Sequence, residues 1–350
     1  MSPFGSLRSL IAGAGLILAL VIQPARADEL SLVFGGETPP LMNSLNLIAN
    51  GAGFYEAENL KISKSVVDGT AKAVQLCASG QADICPIGVE AAISGYDDGA
   101  RLKMFLTRAS KFGYVIAVLD DSPIKTLAEL KGKKIGVHSL AGTSPIFATH
   151  SALKTVGLTP SDYTLVAIGI TDAAAEAFRS RKVDAVALPL YELVPYMVAG
   201  LKMRIFHHPT LEASANAGYL AAPSVIAAKQ DAFRRFSRAI VKASLLVRYN
   251  PEAAARARLV AEQKPFAAED VRKNAAELNA WQDDLPAANP KSKRIGAPSV
   301  AGMQSYIELL HEAGVTKAVF PASDIVTDEF IPFANEFDRK KFETAAKAMR

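Results

Sequence analysis

The chain contains few of the residues that metal-dependent or covalent catalysis requires. Two cysteines and five histidines occur among its 350 residues. Cys77 and Cys85 are eight residues apart, which is not the C-x2-C spacing of a metal or redox site. The histidines are scattered, and the neighbouring His207 and His208 would point to opposite faces of a strand. The sequence therefore predicts no catalytic residue, no metal site and no cofactor.

Signatures of nucleotide hydrolysis and of serine hydrolases are also missing. In the stretch 131–146, five residues separate Gly136 from Gly142, one more than a phosphate-binding loop allows. Thr143 stands where that loop requires a lysine. The chain has no G-x-S-x-G motif. We therefore expect the small residues of this stretch to cap a helix and to hold a ligand.

The cysteine pair has two interpretations. Cys77 falls at the end of a predicted helix and Cys85 in a predicted strand, so that the two could form a disulfide in an oxidising compartment. They could equally be two small buried apolar side chains. The sequence alone leaves both interpretations open.

Long apolar runs are rare, and the one near the start is short. Residues 10–22 form an apolar run of 13 residues, whereas a membrane span needs about 20. Arg8 precedes this run and Ala25-Arg26-Ala27 follows it, which is typical of a signal peptide cleaved after Ala27. We therefore expect a periplasmic protein. The 323 residues that remain (350 − 27) suffice for two domains.

Charge is nearly balanced, with 39 Lys and Arg against 35 Asp and Glu. This excess is too small and too dispersed to indicate nucleic-acid binding. The sequence therefore points to partners other than nucleic acid.

Strand-like and helix-like segments alternate from residue 30 onward, which is typical of α/β proteins with parallel sheets and helices on both faces. Strands are predicted at 30–34, 60–67, 83–87, 102–106, 114–119, 134–137, 163–168, 183–188 and 218–228. Helices are predicted at 41–52, from openings at 68–70 and 88–90, at 145–156 and 172–181, and then at 232–249, 251–262, 268–281 and 299–313. Ligands of such sheets bind outside the carboxyl ends of the strands. The loops at 35–40, 68–70, 88–90, 139–144, 169–171 and 189–192 lie at these ends.

Three stretches of the chain resemble a known family. They are NGAGFYEAENLKISKSVVDGTAKAVQLCASGQADICPIGVEAA, SPIKTLAELKGKKIGV and RSRKVDAVALPLYELVPYMVAG. Together they resemble the nitrate/taurine/sulfonate substrate-binding proteins of ABC importers, the SsuA/THI5-like or NMT1-like family. The resemblance spans roughly residues 30–320.

The resemblance implies a type II periplasmic binding-protein fold, with two α/β lobes, a ligand cleft between them and two crossover strands. On this reading residues 1–27 are the signal peptide, 28–117 and 218–350 form lobe 1, and 118–217 form lobe 2. The crossovers would be 114–118 and 218–228. The resemblance also implies a monomer that binds a small molecule and meets the membrane permease of an ABC importer.

The candidate ligand-binding residues come from the strand-end loops. They are Gly36, Thr38, Pro39, Thr70, Val89, Glu90, Arg108, Ser139, Gly142, Thr143, Ser144, Gly169, Tyr191 and Glu192. Hydroxyl groups and helix N-termini there can hold ligand oxygens, although each of these residues could also simply cap its helix.

Four of these candidates have side chains that would select a particular ligand chemistry. Glu90 and Glu192 would favour an amino or N–H group, and Tyr191 could stack on a planar ligand. Arg108 could pair with an anion. It is the only basic residue expected in these loops, which disfavours a strongly anionic ligand. Trp281, in the helical tail, is expected to pack rather than to stack on a ligand.

The sequence favours a receptor that binds without chemistry. The expected ligand is a small organic acid or sulfonate, or a planar N-heterocycle such as a pyrimidine or thiamine precursor. The alternatives are an enzyme like the pyrimidine synthases that share the fold, and an exported sensor uncoupled from transport. The enzymes carry a Cys-rich motif that this chain lacks.

Overall fold

The computed structural model describes residues 27–36, 41–140, 143–169, 172–212, 214–215 and 217–350. The predicted signal peptide lies outside these residues except for Ala27. In the described part of the chain, no helix combines the length and apolar character that crossing a membrane requires.

The described residues form ten β-strands. These are β1 (Asp28–Phe34), β2 (Leu60–Val66), β3 (Cys85–Gly88), β4 (Lys103–Thr107), β5 (Tyr114–Leu119), β6 (Lys134–Val137), β7 (Thr164–Ala167), β8 (Ala185–Pro189), β9 (Met203–His207) and β10 (Ala217–Ala221).

The same residues form fourteen α-helices. These are α1 (Ser44–Gly51), α2 (Phe54–Ala57), α3 (Thr70–Ala78), α4 (Val89–Asp97), α5 (Thr143–Lys154), α6 (Asp172–Arg179), α7 (Leu190–Val198), α8 (Pro223–Ala228), α9 (Gln230–Tyr249), α10 (Pro251–Ala261), α11 (Ala268–Trp281), α12 (Val300–Glu312), α13 (Ile331–Asn335) and α14 (Arg339–Ala348).

The strands build two main layers. Strands β1 and β2 pair, β10 lies between β3 and β4, and Val33 of β1 donates a backbone hydrogen bond to Ile84 beside β3. We call these five strands the first sheet. The second sheet has the order β7-β6-β8-β5-β9. The chain passes from β4 to β5 through residues 108–113, and it returns from β9 to β10 through residues 208–216.

The expectation of parallel sheets is only partly correct. The pairs β1–β2, β6–β7 and β6–β8 are parallel, but β5 and β10 run antiparallel to both of their neighbours. The chain reaches β5 directly from β4 of the first sheet, and it reaches β10 directly from β9 of the second sheet. These two strands therefore lack the preceding helical crossover that makes strands parallel.

The predicted strand at 218–228 is wrong in its second half. Strand β10 ends at Ala221, and Pro223 begins helix α8. Proline cannot donate a hydrogen bond to a strand ladder, whereas its fixed φ suits the first turn of a helix. The apolar run therefore divides into a strand and a helix.

The second sheet is buried on both faces, which explains its continuous apolar strands. In β5, Ile116 and Val118 pack into one hydrophobic cluster, whereas Val115 and Ala117 pack into another on the opposite face. This is the two-residue alternation of a strand. Runs without polar positions are expected where helices cover both faces.

The first sheet packs against the long helix α9 through aromatic rings. Phe105 of β4 meets Phe233 and Phe236 of α9 with ring centroids 4.9 and 6.2 Å apart. All three side chains are fully buried. A disulfide between Cys77 and Cys85, whose Cα atoms are 6.3 Å apart, ties the end of α3 to the start of β3. The open question about the cysteine pair is thus answered in favour of the disulfide.

Candidate functional site

A cleft of about 710 Å³ lies where strands of both sheets end. Strand β3 ends at Gly88, directly before α4, and β8 ends at Pro189, directly before α7. The cleft is lined by Met42, Thr70, Gly88, Glu90, Ala91, Ser94, Arg108, Ala109, Lys111, Gly113, Tyr114, Pro189, Leu190, Tyr191, Ala217, Trp281, Asp284, Gly314 and Val315. This is the place at which α/β sheets bind ligands.

Arg108 is the buried cation of the cleft, with 4% of its surface exposed. Its Nη1 donates a hydrogen bond to the Pro86 carbonyl at 3.1 Å. Within the described residues, its Nη2 is buried without a hydrogen-bond partner. Burial lowers the Arg108 pKa, while the nearby Tyr219 and Tyr191 hydroxyls act in the opposite direction. An unpartnered guanidinium nitrogen is costly, and an anionic ligand oxygen could satisfy it.

Two aromatic residues form a corner of the cleft. The rings of Tyr191 and Trp281 lie edge to face, with centroids 6.1 Å apart and planes at 64°. Trp281 is 7% exposed and belongs to the main hydrophobic core, so it packs as expected, yet it also lines the cleft. Burial, and then the neighbouring Glu192 charge, raise the Tyr191 pKa. The Tyr191 hydroxyl therefore stays neutral.

Lys111 is a second basic residue in the cleft, and the expectation that Arg108 would be alone is wrong. Its Nζ lies 3.5 Å from a Glu212 carboxylate oxygen and 3.9 Å from Asp284. Burial raises the Asp284 pKa, and Lys111 opposes this shift. Lys111 lies in the segment that joins the two sheets. That position, between β4 and β5, was the signal that could have identified it.

Four of the predicted ligand-binding residues line the cleft: Thr70, Glu90, Arg108 and Tyr191. Thr70 begins α3, and a side chain on Gly35 would place its Cβ 2.4 Å from the Thr70 Cα. Glycine at position 35 therefore lets the end of β1 approach this helix start closely.

Two predicted residues next to these have other surroundings in the structure. Val89 begins α4, is 0% exposed and packs in a hydrophobic cluster, so only its backbone could reach a ligand. Glu192 does not line the cleft, and its carboxylate lies 2.5 Å from Nε2 of His138. A ligand contact by either residue stays a prediction.

Among the remaining predicted residues, those that the structure describes in full lie outside the cleft lining. Gly36, Ser139 and Gly169 do not line the cleft, and Gly169 adopts φ +74° while its N–H donates to the His138 carbonyl. Thr143 and Ser144 begin α5. The other three, Thr38, Pro39 and Gly142, lie outside the described residues. Their contact with a ligand also stays a prediction.

Solved structures place the fold among the periplasmic binding proteins. The periplasmic aliphatic sulphonate-binding protein SsuA of Escherichia coli matches with a TM-score of 0.64 and 21% identity, over 86% of this chain and 92% of that chain. The desulfurization enzyme DszB matches with a TM-score of 0.54 and 16% identity, over 88% of this chain and 98% of that chain. The same fold thus serves a binding protein and an enzyme.

Sequence comparison gives the family. A Brucella abortus protein described as a binding protein is 27% identical over 259 residues, which is 73% of this chain and 72% of that protein. The sequence model described as NMT1/THI5 like matches residues 44–254. The chain belongs to the NMT1/THI5-like family, as the sequence analysis predicted.

Proposed function

We propose that this protein is an exported receptor that binds a small organic monoanion in the cleft and delivers it to the permease of an ABC importer. The observation that carries the proposal is Arg108, a buried residue of the cleft lining whose Nη2 has no hydrogen-bond partner among the described residues. Hydrogen bonds to charged groups contribute about 1.5–3 kcal/mol. An anionic ligand that accepts a hydrogen bond from Arg108 Nη2 would gain this free energy on binding.

The charges around Arg108 favour a single negative charge on the ligand. Glu90 and Asp284 line the cleft together with Arg108 and Lys111. Lys111 already lies near two carboxylates, those of Glu212 and Asp284. A second negative charge on the ligand would meet like charge, because the only other cation in the described lining, Lys111, already lies near these two carboxylates. Carboxylates and sulfonates therefore fit better than phosphate or sulfate dianions.

Binding without chemistry fits the residues of the cleft. Neither a histidine nor a cysteine is among the described residues that line it, and both cysteines are held in the disulfide. The described lining therefore provides neither the thiolate nor the imidazole on which many covalent mechanisms rely. We therefore favour the receptor over the enzyme, although DszB shares the fold.

Transport would follow from closure of two lobes on the ligand. We propose that the lobes are residues 28–117 with 218–350, and residues 118–217, hinged at the two segments between the sheets. SsuA of Escherichia coli, which has the same fold, is a periplasmic sulphonate-binding protein. The predicted signal peptide agrees with the same location for this chain.

A thermal-shift experiment with matched ligands tests the proposal. Two sulfonates, benzenesulfonate and ethanesulfonate, and two carboxylates, benzoate and propionate, would be compared with the neutral benzenesulfonamide, and with uracil as a planar N-heterocycle. A ligand at about 100 times its Kd should add about 2.7 kcal/mol to the free energy of unfolding. We expect at least one sulfonate, or the corresponding carboxylate, to raise the melting temperature and the sulfonamide not to. A shift with uracil alone, or with no compound, would contradict an anion receptor.

A further inference from the structure

We infer that the ligand is an aryl monoanion, an aromatic ring that carries one carboxylate or sulfonate group. This inference rests on the proposed function and specifies what the cleft holds besides the charge. Its basis is the position of the Tyr191–Trp281 corner relative to Arg108.

The corner is suited to a flat ring. The planes of Tyr191 and Trp281 meet at 64°, and both residues line the cleft. A ring placed there can stack on one of them and meet the other edge to face, and both arrangements are favourable for aromatic pairs. An alkyl chain gains contact area at such a corner but not these specific interactions.

The cleft that contains the corner also has apolar side chains in its lining. Met42, Pro189, Leu190 and Val315 line the same cleft. A methionine sulfur makes favourable contacts with aromatic rings. The cleft volume of about 710 Å³ lies in the range of pockets that bind drug-sized molecules. A two-carbon acid would leave most of this volume empty.

The charge and the corner lie within the reach of one small molecule. Arg108 and Tyr191 both line this one cleft of about 710 Å³. A ligand whose acid group meets Arg108 would therefore direct its body towards Tyr191. A rigid ring would lose less conformational freedom in this position than a flexible chain.

Isothermal titration calorimetry with two ligand pairs tests the inference. Benzenesulfonate is compared with ethanesulfonate, and benzoate with propionate, so that the acid group is constant within each pair. We expect the aryl acid of at least one pair to bind about 10- to 100-fold more tightly. In Tyr191→Leu the preference should fall below about threefold. It should persist in Tyr191→Phe, which keeps the ring.

Tyr196→Leu is the matched control, because Tyr196 is on the same helix but does not line the cleft. This variant should keep the full preference for aryl acids. Equal affinities within both pairs in the wild-type protein would overturn the inference and leave the anion receptor intact. Binding of none of the four acids would overturn the receptor itself. The comparison of aryl and alkyl affinities in the wild-type protein tests the inference even if a variant does not fold.

Discussion

The two sheets present different chemistry to the cleft. The first sheet contributes charge and hydroxyl groups, from Thr70, Glu90 and Arg108, and the second contributes the apolar surface of Pro189, Leu190 and Tyr191. The first sheet is also braced by a disulfide, whereas the described part of the second contains no cysteine. We propose that the residues next to the first sheet select the charge of a ligand, whereas Tyr191, together with Trp281 of α11, selects its shape.

The largest effect is expected at the returning segment between the sheets. His208 Nδ1 accepts hydrogen bonds from the Thr210 and Leu211 N–H groups at 3.2 and 3.1 Å. Nε2 therefore carries the proton and donates to Ser151 Oγ on α5 at 3.0 Å. Burial lowers the His208 pKa to about 4. A proton on Nδ1 would remove the acceptor of the Thr210 and Leu211 N–H groups, and so disrupt the turn that orients His208 towards Ser151.

Acid should therefore destabilise the protein through His208. The native state binds fewer protons than the unfolded chain, so the stability from His208 is complete above the unfolded pKa of about 6.5 and falls as pH drops towards 4. The loss should reach about 2–3 kcal/mol at pH 4. Urea unfolding at pH 7.5 and pH 4 would measure it. His208→Gln should lose distinctly less stability over this range, and an unchanged acid loss in this variant would exclude His208 as its source.

Removal of the disulfide should destabilise the first sheet. The bond closes a loop with a sequence separation of 8, for which the entropic contribution is about 2–3 kcal/mol. Cys77→Ala/Cys85→Ala should therefore melt at a lower temperature than the wild-type protein. Reductant should lower the melting temperature of the wild-type protein and leave the variant unchanged. Equal responses of the two proteins to reductant would show that the bond is absent in solution.

Removal of the charge should weaken every anionic ligand equally. Arg108→Gln should reduce affinity about 10- to 100-fold for aryl and alkyl acids alike, because the lost hydrogen bonds to a charged group contribute about 1.5–3 kcal/mol. Calorimetry with both acid classes would measure this. Arg101→Gln is the control, since Arg101 is exposed and stacks on Tyr96 at 3.8 Å, outside the cleft lining. Loss of aryl binding alone in Arg108→Gln would contradict the division between charge and shape.

The smallest effect is expected at Glu192. The sequence placed this residue at the ligand, but its carboxylate pairs with His138 and does not line the cleft. Glu192→Gln should change anion affinity less than about threefold. Glu90→Gln should instead tighten anion binding, because it removes a negative charge from the cleft lining. A tenfold change in Glu192→Gln would instead support the ligand contact that the sequence predicts for this residue.

The first eight strands, β1 to β8, agree with their predicted positions within two residues at each end. Of these, β5, β6 and β8 read as continuous apolar runs. Strand β9 was missed because its five residues are all half-buried and mix Arg204 and His207 with apolar side chains. It shows neither an apolar run nor an alternation.

The cleft residues that could be predicted from the sequence are those that follow the end of a strand. Thr70, Glu90, Arg108 and Tyr191 follow strand ends, and that position is visible in the sequence. Trp281 and Asp284 come from the end of α11 and reach the cleft only because α11 packs against α7. Long-range packing of this kind leaves no local pattern, which is why sequence reasoning assigned Trp281 only to the core.

Trp281 also provides the most direct test of an anion site in the cleft. It is the only tryptophan of the chain and it lines the cleft, so its fluorescence reports on ligand there. Titration of the wild-type protein with benzenesulfonate should give a saturable change in emission. The same titration of Arg108→Gln should require about 10- to 100-fold more ligand. Identical curves for the two proteins, or binding by calorimetry without any change in emission, would contradict the account.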